Sequence, residues 1–204
     1  MSPRPYRSDR RAAAAEETRR RVLAAAREHL SGTGMTRLSV DAVAKAADVS
    51  RQTVYNAFGS KSGLLEALFD SLAEEAGLSL GAAFAADGVD EALARFCAAF
   101  CGFWASERPV VRRLRGMAVL DDDLDKLLRE RDGMRRTALI TLLGRFDGEP
   151  PAAQVLDVAW QLTSFESFDL LAGRDGDGGR STEEVARLIA DAVIAVRNGL
   201  PRDA

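Results

Sequence analysis

From Glu16 onward apolar residues return every three or four positions in almost every segment, and nowhere do β-branched residues alternate over the length of a strand. That spacing admits one fold class, all-α. Residues 1–15, MSPRPYRSDRRAAAA, hold two prolines and no apolar period, so they read as a flexible basic arm, with ordered structure expected from about Glu16.

A first helix, about 16–31, places Val22, Leu23, Ala26 and Leu30 on one face, and GTG at 32–34 ends it. Ser39 can cap a short second helix, VDAVAKAA, with Val40, Val43, Ala44 and Ala47 pointing inward. Asp48 falls where a tight turn calls for a left-handed residue, a conformation Asp adopts more readily than most side chains. Ser50 caps a third helix, roughly 51–57, and Gly59 closes it; Ser60 caps a fourth, whose Leu64, Leu65, Leu68, Phe69 and Leu72 form one apolar stripe. Beyond Gly88 longer helices are expected at about 90–105, 109–117, 121–146, 151–172 and 182–198, with Gly133 a point of bending. The glycine-rich GRDGDGG at 173–179 follows no strand, lacks dinucleotide spacing and has no Glu at the twelfth position of a calcium loop, so it reads as a connector.

Charge is unevenly spread along the 204 residues. Residues 1–61 carry 12 Lys/Arg against 6 Asp/Glu, and the remainder 16 against 25. A basic end facing a polyanion and an acidic body held off it fit that division, as does a merely solvated basic arm. The longest apolar run, FCAAFCGFWA at 96–105, is too short to span a bilayer and no apolar leader opens the chain, so a cytoplasmic protein without membrane contact is expected. Cys97 and Cys101 share a helix face; they read as small buried hydrophobes or, alternatively, as a redox pair whose helical spacing is awkward for a disulfide. With His29 the sole histidine, neither a Cys/His zinc site nor the Glu-x-x-His pairs of a di-iron bundle can be assembled. No catalytic set, metal or cofactor is called for, and His29 reads as a surface or helix-end residue.

The stretch AADVSRQTVYNAFGSK, 46–61, packs Ser, Arg, Gln, Thr, Tyr and Asn into the outer face of a short helix. Two short helices joined by a tight turn, with small residues between them and a polar second helix, describe a helix-turn-helix, whose second helix enters the DNA major groove. Val54 and Phe58 face the core, whereas Arg51, Gln52 and Tyr55 face away. Arg can pair bidentately with guanine, Gln with adenine, and Thr53 can meet a thymine methyl; Tyr55, Ser39 and Lys61 suit phosphates. A short exposed helix can also be polar for solvation alone.

Residues 18–72, carrying TRRRVLAAAREHL and then TRLSVDAVAKAADVSRQTVYNAFGSKSGLLEAL, resemble the N-terminal domain of the TetR family of bacterial transcriptional regulators. The resemblance implies a three-helix DNA-binding domain with a helix-turn-helix, followed by a helical-bundle domain for ligand binding and dimerisation. The corresponding boundaries are 1–15 for the arm, 16–62 for the DNA-binding domain and 63–204 for the body. It also implies a homodimer on double-stranded DNA at a palindromic operator, acting as a repressor released by a small-molecule ligand. DNA contact falls on Arg51, Gln52, Thr53, Tyr55 and Asn56, with Ser39 and Lys61 on the backbone. Two departures stand out: Ala57 occupies a place where many members carry His or Tyr, and Asp48 replaces the usual turn glycine. A low-specificity DNA-binding protein, or an activator without an inducer, is the alternative.

In the body, the helix expected at 151–172 has Leu156, Trp160, Thr163, Ser167, Leu170 and Leu171 on one side and Val158, Leu162, Phe165 and Phe168 on the other. The last helix presents Val185, Leu188, Ile189, Ala192, Val193 and Val196. These faces can build an intrachain core or half of a four-helix dimer interface, the latter through Phe165, Phe168, Leu188, Ile189, Ala192 and Val196. Phe96, Phe100, Trp104, Met117, Trp160 and Phe165 are candidates for lining an apolar ligand pocket, with Glu166 orienting a polar group; each also serves as plain core. RRLRG at 112–116 reads as a solvated face, an anion site or a coupling segment.

Overall fold

The computed structural model describes residues 5–32, 38–147, 152–173 and 179–199. Most of the GRDGDGG connector, the end of GTG and residues 1–4 of the arm lie outside these. Eleven helices form among the described residues: α1 Pro5–Ser31, α2 Val40–Ala46, α3 Arg51–Phe58, α4 Lys61–Glu75, α5 Gly81–Phe84, α6 Val89–Ser106, α7 Arg108–Ala118, α8 Asp122–Asp147, α9 Ala153–Leu162, α10 Phe165–Leu171 and α11 Thr182–Gly199. None is long and apolar enough to cross a membrane.

The first helix starts at Pro5, not at Glu16. Proline is at home in a first helical turn, and the Ala- and Arg-rich residues that follow have high helix propensity, so helix extends where apolar periodicity is absent.

The chain forms two compact units. One comprises Met1–Leu72 together with Arg112–Leu127, the other Ala73–Val111 and Leu128–Ala204. The first unit is therefore larger than residues 16–62, because the α4 stripe and the α7–α8 junction pack with it. Its core is the expected one: Val22, Ala26, Leu30, Val43, Val54, Leu64, Leu65, Leu68 and Leu72 are all 2% exposed or less.

The caps act as their chemistry dictates. Ser39 Oγ accepts from the Ala42 amide at 3.3 Å, Ser50 Oγ from Thr53 at 3.0 Å and Ser60 Oγ from Gly63 at 2.9 Å. The turn between α2 and α3 passes through Asp48 at φ 53°, and α3 ends at Gly59 with φ 75°.

In the second unit α6 packs against α5, α10 and α11, and α11 also meets α9. Phe96, Cys97, Phe100, Cys101, Phe103 and Trp104 of α6 are buried with Val185, Ile189 and Val193 of α11. The single helix expected at 151–172 is two helices. Ser164 is extended, with φ −69° and ψ 160°, and its Oγ accepts from the Ser167 amide at 3.2 Å, so a new helix starts there. Thr163 Oγ1 returns to the Ala159 carbonyl at 2.7 Å and closes α9. The break changes the phase of everything beyond it, leaving Leu170 at the surface and Phe165 and Phe168 inside.

Two arginines hold this unit at helix ends. Arg108 donates through Nε to Asp169 at 2.7 Å and through Nη2 to the carbonyls of Asp169 and Gly173, a cation at the negative end of α10. Arg135 of α8, 4% exposed, donates to the Trp160 carbonyl, to Thr163 Oγ1 at 2.7 Å and to Asp132 at 3.3 Å.

Candidate nucleic-acid interface

The α2–α3 pair presents its polar residues as a connected set. Arg51 and Gln52 open α3 at the surface, Thr53 and Tyr55 are half-buried, and Asn56 is exposed one turn later. Val54, on the opposite face, is 1% exposed and anchors the helix. Arg19 of α1 holds the far end of α3: its Nη1 donates to the Ala57 carbonyl at 3.1 Å and its guanidinium lies 4.5 Å from the Phe58 ring centroid. A free helix C-terminus is thereby satisfied from a neighbouring helix.

Ser39, Arg51, Tyr55 and Lys61 converge on one recess of about 410 Å³, which Leu38, Val40 and Asp41 complete. Gln52, Thr53 and Asn56 lie outside it, along the exposed side of α3. Each polar group has a partner within the unit. Gln52 Nε2 donates to Asn56 Oδ1 at 2.9 Å, and the Ser50 and Thr53 hydroxyls are 2.8 Å apart. Arg51 engages Asp41 and Tyr55, and these partners hold the guanidinium above its ordinary pKa, Tyr55 foremost.

Lys61 Nζ donates to Asp121 at 2.6 Å, and this bond, the largest influence on the group, draws the Asp121 carboxyl below the usual carboxylate range. Asp121 also accepts from the Leu124 amide at 3.2 Å, so the same carboxylate caps α8. Sequence reasoning missed Asp41 and Asp121, whose partners stand ten and sixty positions away.

The residues considered for a ligand pocket divide between the units. Phe96, Phe100, Trp104 and Phe165 form a chain of touching rings, with centroid separations of 4.8, 6.0 and 5.7 Å, the last edge-on at 74°. Trp160 is half-buried and donates from Nε1 to the Asp132 carbonyl at 2.9 Å; Arg135 lies 5.8 Å from its ring and 5.9 Å from that of Phe100. Met117 belongs to the first unit, and Glu166 is exposed in the first turn of α10. Arg135, which no sequence pattern singles out, is the charged group beside the rings.

Of the residues considered for a dimer interface, Phe165, Phe168 and Ile189 are buried within the chain, at 3%, 2% and 1% exposure. Leu188 is 41% exposed, and Ala192 and Val196 are half-buried beside it. Burial pushes the Cys97 and Cys101 thiols up to about 12, which leaves them as packing groups rather than thiolates. RRLRG at 112–116 lies in the unit that bears α3, with Leu114 fully buried and Arg112 exposed.

Residues 22–68 match the family model for bacterial regulatory proteins of the tetR family. No curated protein sequence matches the chain. Solved structures do resemble it. A TetR-family regulator from Rhodococcus sp. superimposes with a TM-score of 0.63 at 19% identity, covering 89% of this chain and 99% of that one. NalD of Pseudomonas aeruginosa, described as the secondary repressor of the MexAB-OprM multidrug efflux pump, gives 0.62 at 20% identity, covering 93% and 98%. PfmR of Thermus thermophilus, a TetR-family transcriptional regulator, gives 0.59 at 23%, covering 89% and 99%. The chain therefore has the fold of the TetR-family transcriptional regulators and carries, over residues 22–68, that family's DNA-binding sequence pattern.

Proposed function

We propose that the protein is a homodimeric transcriptional regulator that reads an inverted-repeat operator through α3 and is released from it by a small molecule, so that it acts as a repressor. The observation that carries this reading is the exposed polar edge of α3, anchored by Val54 from below and by Arg19 at its end. Arg51, Gln52 and Thr53 take the base edges. Ser39, Tyr55, Asn56 and Lys61 take phosphates, three of them from the walls of one recess.

Dimerisation falls to the outer side of α11, through Leu188, Ala192 and Val196, with Leu170 of α10, 82% exposed, as a further apolar group. The ring chain of Phe96, Phe100, Trp104 and Phe165, beside Trp160 and Arg135, is the proposed ligand-sensing layer. NalD, described as a secondary repressor, supports the same direction of control here.

The test is selection of duplexes from a random pool by the purified protein at near-physiological salt. An enriched inverted repeat with half-sites about 34 Å apart, or a multiple of that helical turn, is the expected result. Enrichment of no motif refutes operator reading. A monomeric mass by sedimentation at micromolar concentration refutes the dimer.

A further inference from the structure

One acid stands in a recess otherwise made of cations, hydroxyls and apolar groups. Asp41, in the first turn of α2, accepts from Nη1 of Arg51 with both carboxylate oxygens, at 3.2 and 3.0 Å. Nη2 of the same guanidinium donates to Tyr55 Oη at 3.3 Å, and the Tyr55 ring centroid is 5.4 Å from the guanidinium carbon. A carboxylate at this spot repels phosphate, a penalty for any surface that binds DNA through charge alone. An arginine on an exposed helix edge has many rotamers, and an unfastened one loses that freedom only when it meets a base. Three fastenings to α2 and α3 remove it beforehand. The guanidinium has five N–H groups, so Nε–H and the second hydrogen of Nη2 remain for a base edge.

We propose that Asp41 is a positioning residue for base readout: it holds Arg51 against Tyr55 in one orientation, and so sets how strongly the protein prefers guanine at one base pair of each half-site. This rests on the operator-reading function above. It also gives the unfavourable carboxylate a purpose, since a charge that weakens all binding equally while sharpening one contact raises the ratio of specific to non-specific affinity. An acid in the first turn of α2 is favoured by the helix dipole in any case, and that bland role predicts an effect on stability without one on base preference.

The experiment compares selected duplexes for the wild type, R51A, D41A, D41E and the R51A/D41A double variant, with preference read position by position and thermal unfolding recorded for each. R51A is expected to erase preference at one position per half-site. D41A should weaken that same position about tenfold, D41E should restore part of it, and the double variant should be no worse than R51A. Because the Asp41 and Arg51 side chains are 66% and 57% exposed, D41A should keep its unfolding midpoint within a few degrees. Several outcomes overturn the inference: unchanged preference at that position in D41A, an equal effect of D41A with and without Arg51, stronger binding of every sequence with no position singled out, or a large fall in midpoint with loss at all positions. Failure of the wild type to enrich any motif defeats the operator reading and this inference together; a wild-type motif that survives D41A intact defeats this one alone.

Discussion

Arg135 is the side chain whose replacement has the most clearly defined cost. It is 4% exposed and bonds to the Trp160 carbonyl, Thr163 Oγ1 and Asp132, and so ties α8 to the corner where α9 ends and α10 begins. Arg135→Met keeps most of the stem's volume and removes every donor. Charge-assisted hydrogen bonds contribute about 1.5–3 kcal/mol each, and removing one partner of a buried pair costs about 3–5 kcal/mol. Asp132 is 18% exposed and can regain some water, which points to the lower end, about 3 kcal/mol. For a chain of this size that corresponds to a fall in Tm of about 6–12 °C.

The assay follows from composition. The two tryptophans, Trp104 and Trp160, both lie in this unit and donate to the carbonyls of Thr163 and Asp132, so fluorescence-monitored unfolding reports on the affected unit. Thr163→Val should cost about 1 kcal/mol alone and less in the Arg135→Met background, because the two share a bond. A loss below about 1 kcal/mol for Arg135→Met, or strict additivity of the pair, would refute the reasoning.

Three further outcomes are expected. Ser50→Ala should destabilise the first unit by about 1 kcal/mol in urea unfolding, because it removes the acceptor for the Thr53 amide at the start of α3. Asp48→Ala should be less stable than Asp48→Gly by about 1 kcal/mol, since φ 53° suits glycine and penalises alanine; equal Tm values would argue against a left-handed turn. Asp121→Asn should cost about 1 kcal/mol at pH 7 through loss of the Lys61 bond. The Asp121 carboxyl is depressed in the folded state, so its contribution is present above the ordinary Asp value of about 3.9 that holds in the unfolded chain and is lost as pH falls through the lower folded value. The gap in Tm between wild type and Asp121→Asn should accordingly close in acid, and a gap that stays constant from about pH 7 to about pH 3 would count against it.

What can be read in the sequence is what is local. Ser39 with Ala42, Ser50 with Thr53, Ser60 with Gly63, and the left-handed Asp48 and Gly59 all act within three positions of themselves, and a cap or turn residue carries its geometry with it. The exposed edge of α3 is legible for the same reason. The partners Asp41–Arg51, Lys61–Asp121 and Arg135–Thr163 are separated by 10, 60 and 28 positions, and helical spacing states which face a residue shares without stating what that face meets.

The body illustrates the limit most directly. Spacing puts Leu188 and Ile189 on one apolar face of the last helix; Ile189 is 1% exposed and Leu188 41%. The difference arises because α6 and α9, which pack on α11, cover only part of that face. Sequence periodicity marks an apolar face without stating whether the chain itself or a second copy covers it. Leu188, with Ala192, Val196 and Leu170, is the part of these faces that the chain leaves at or near the surface, and the proposed dimer would use it. A dimer held there would consequently be weakened by Leu188→Glu with little loss of monomer stability, whereas Ile189→Glu, inside the core, would unfold the chain before it reported on association.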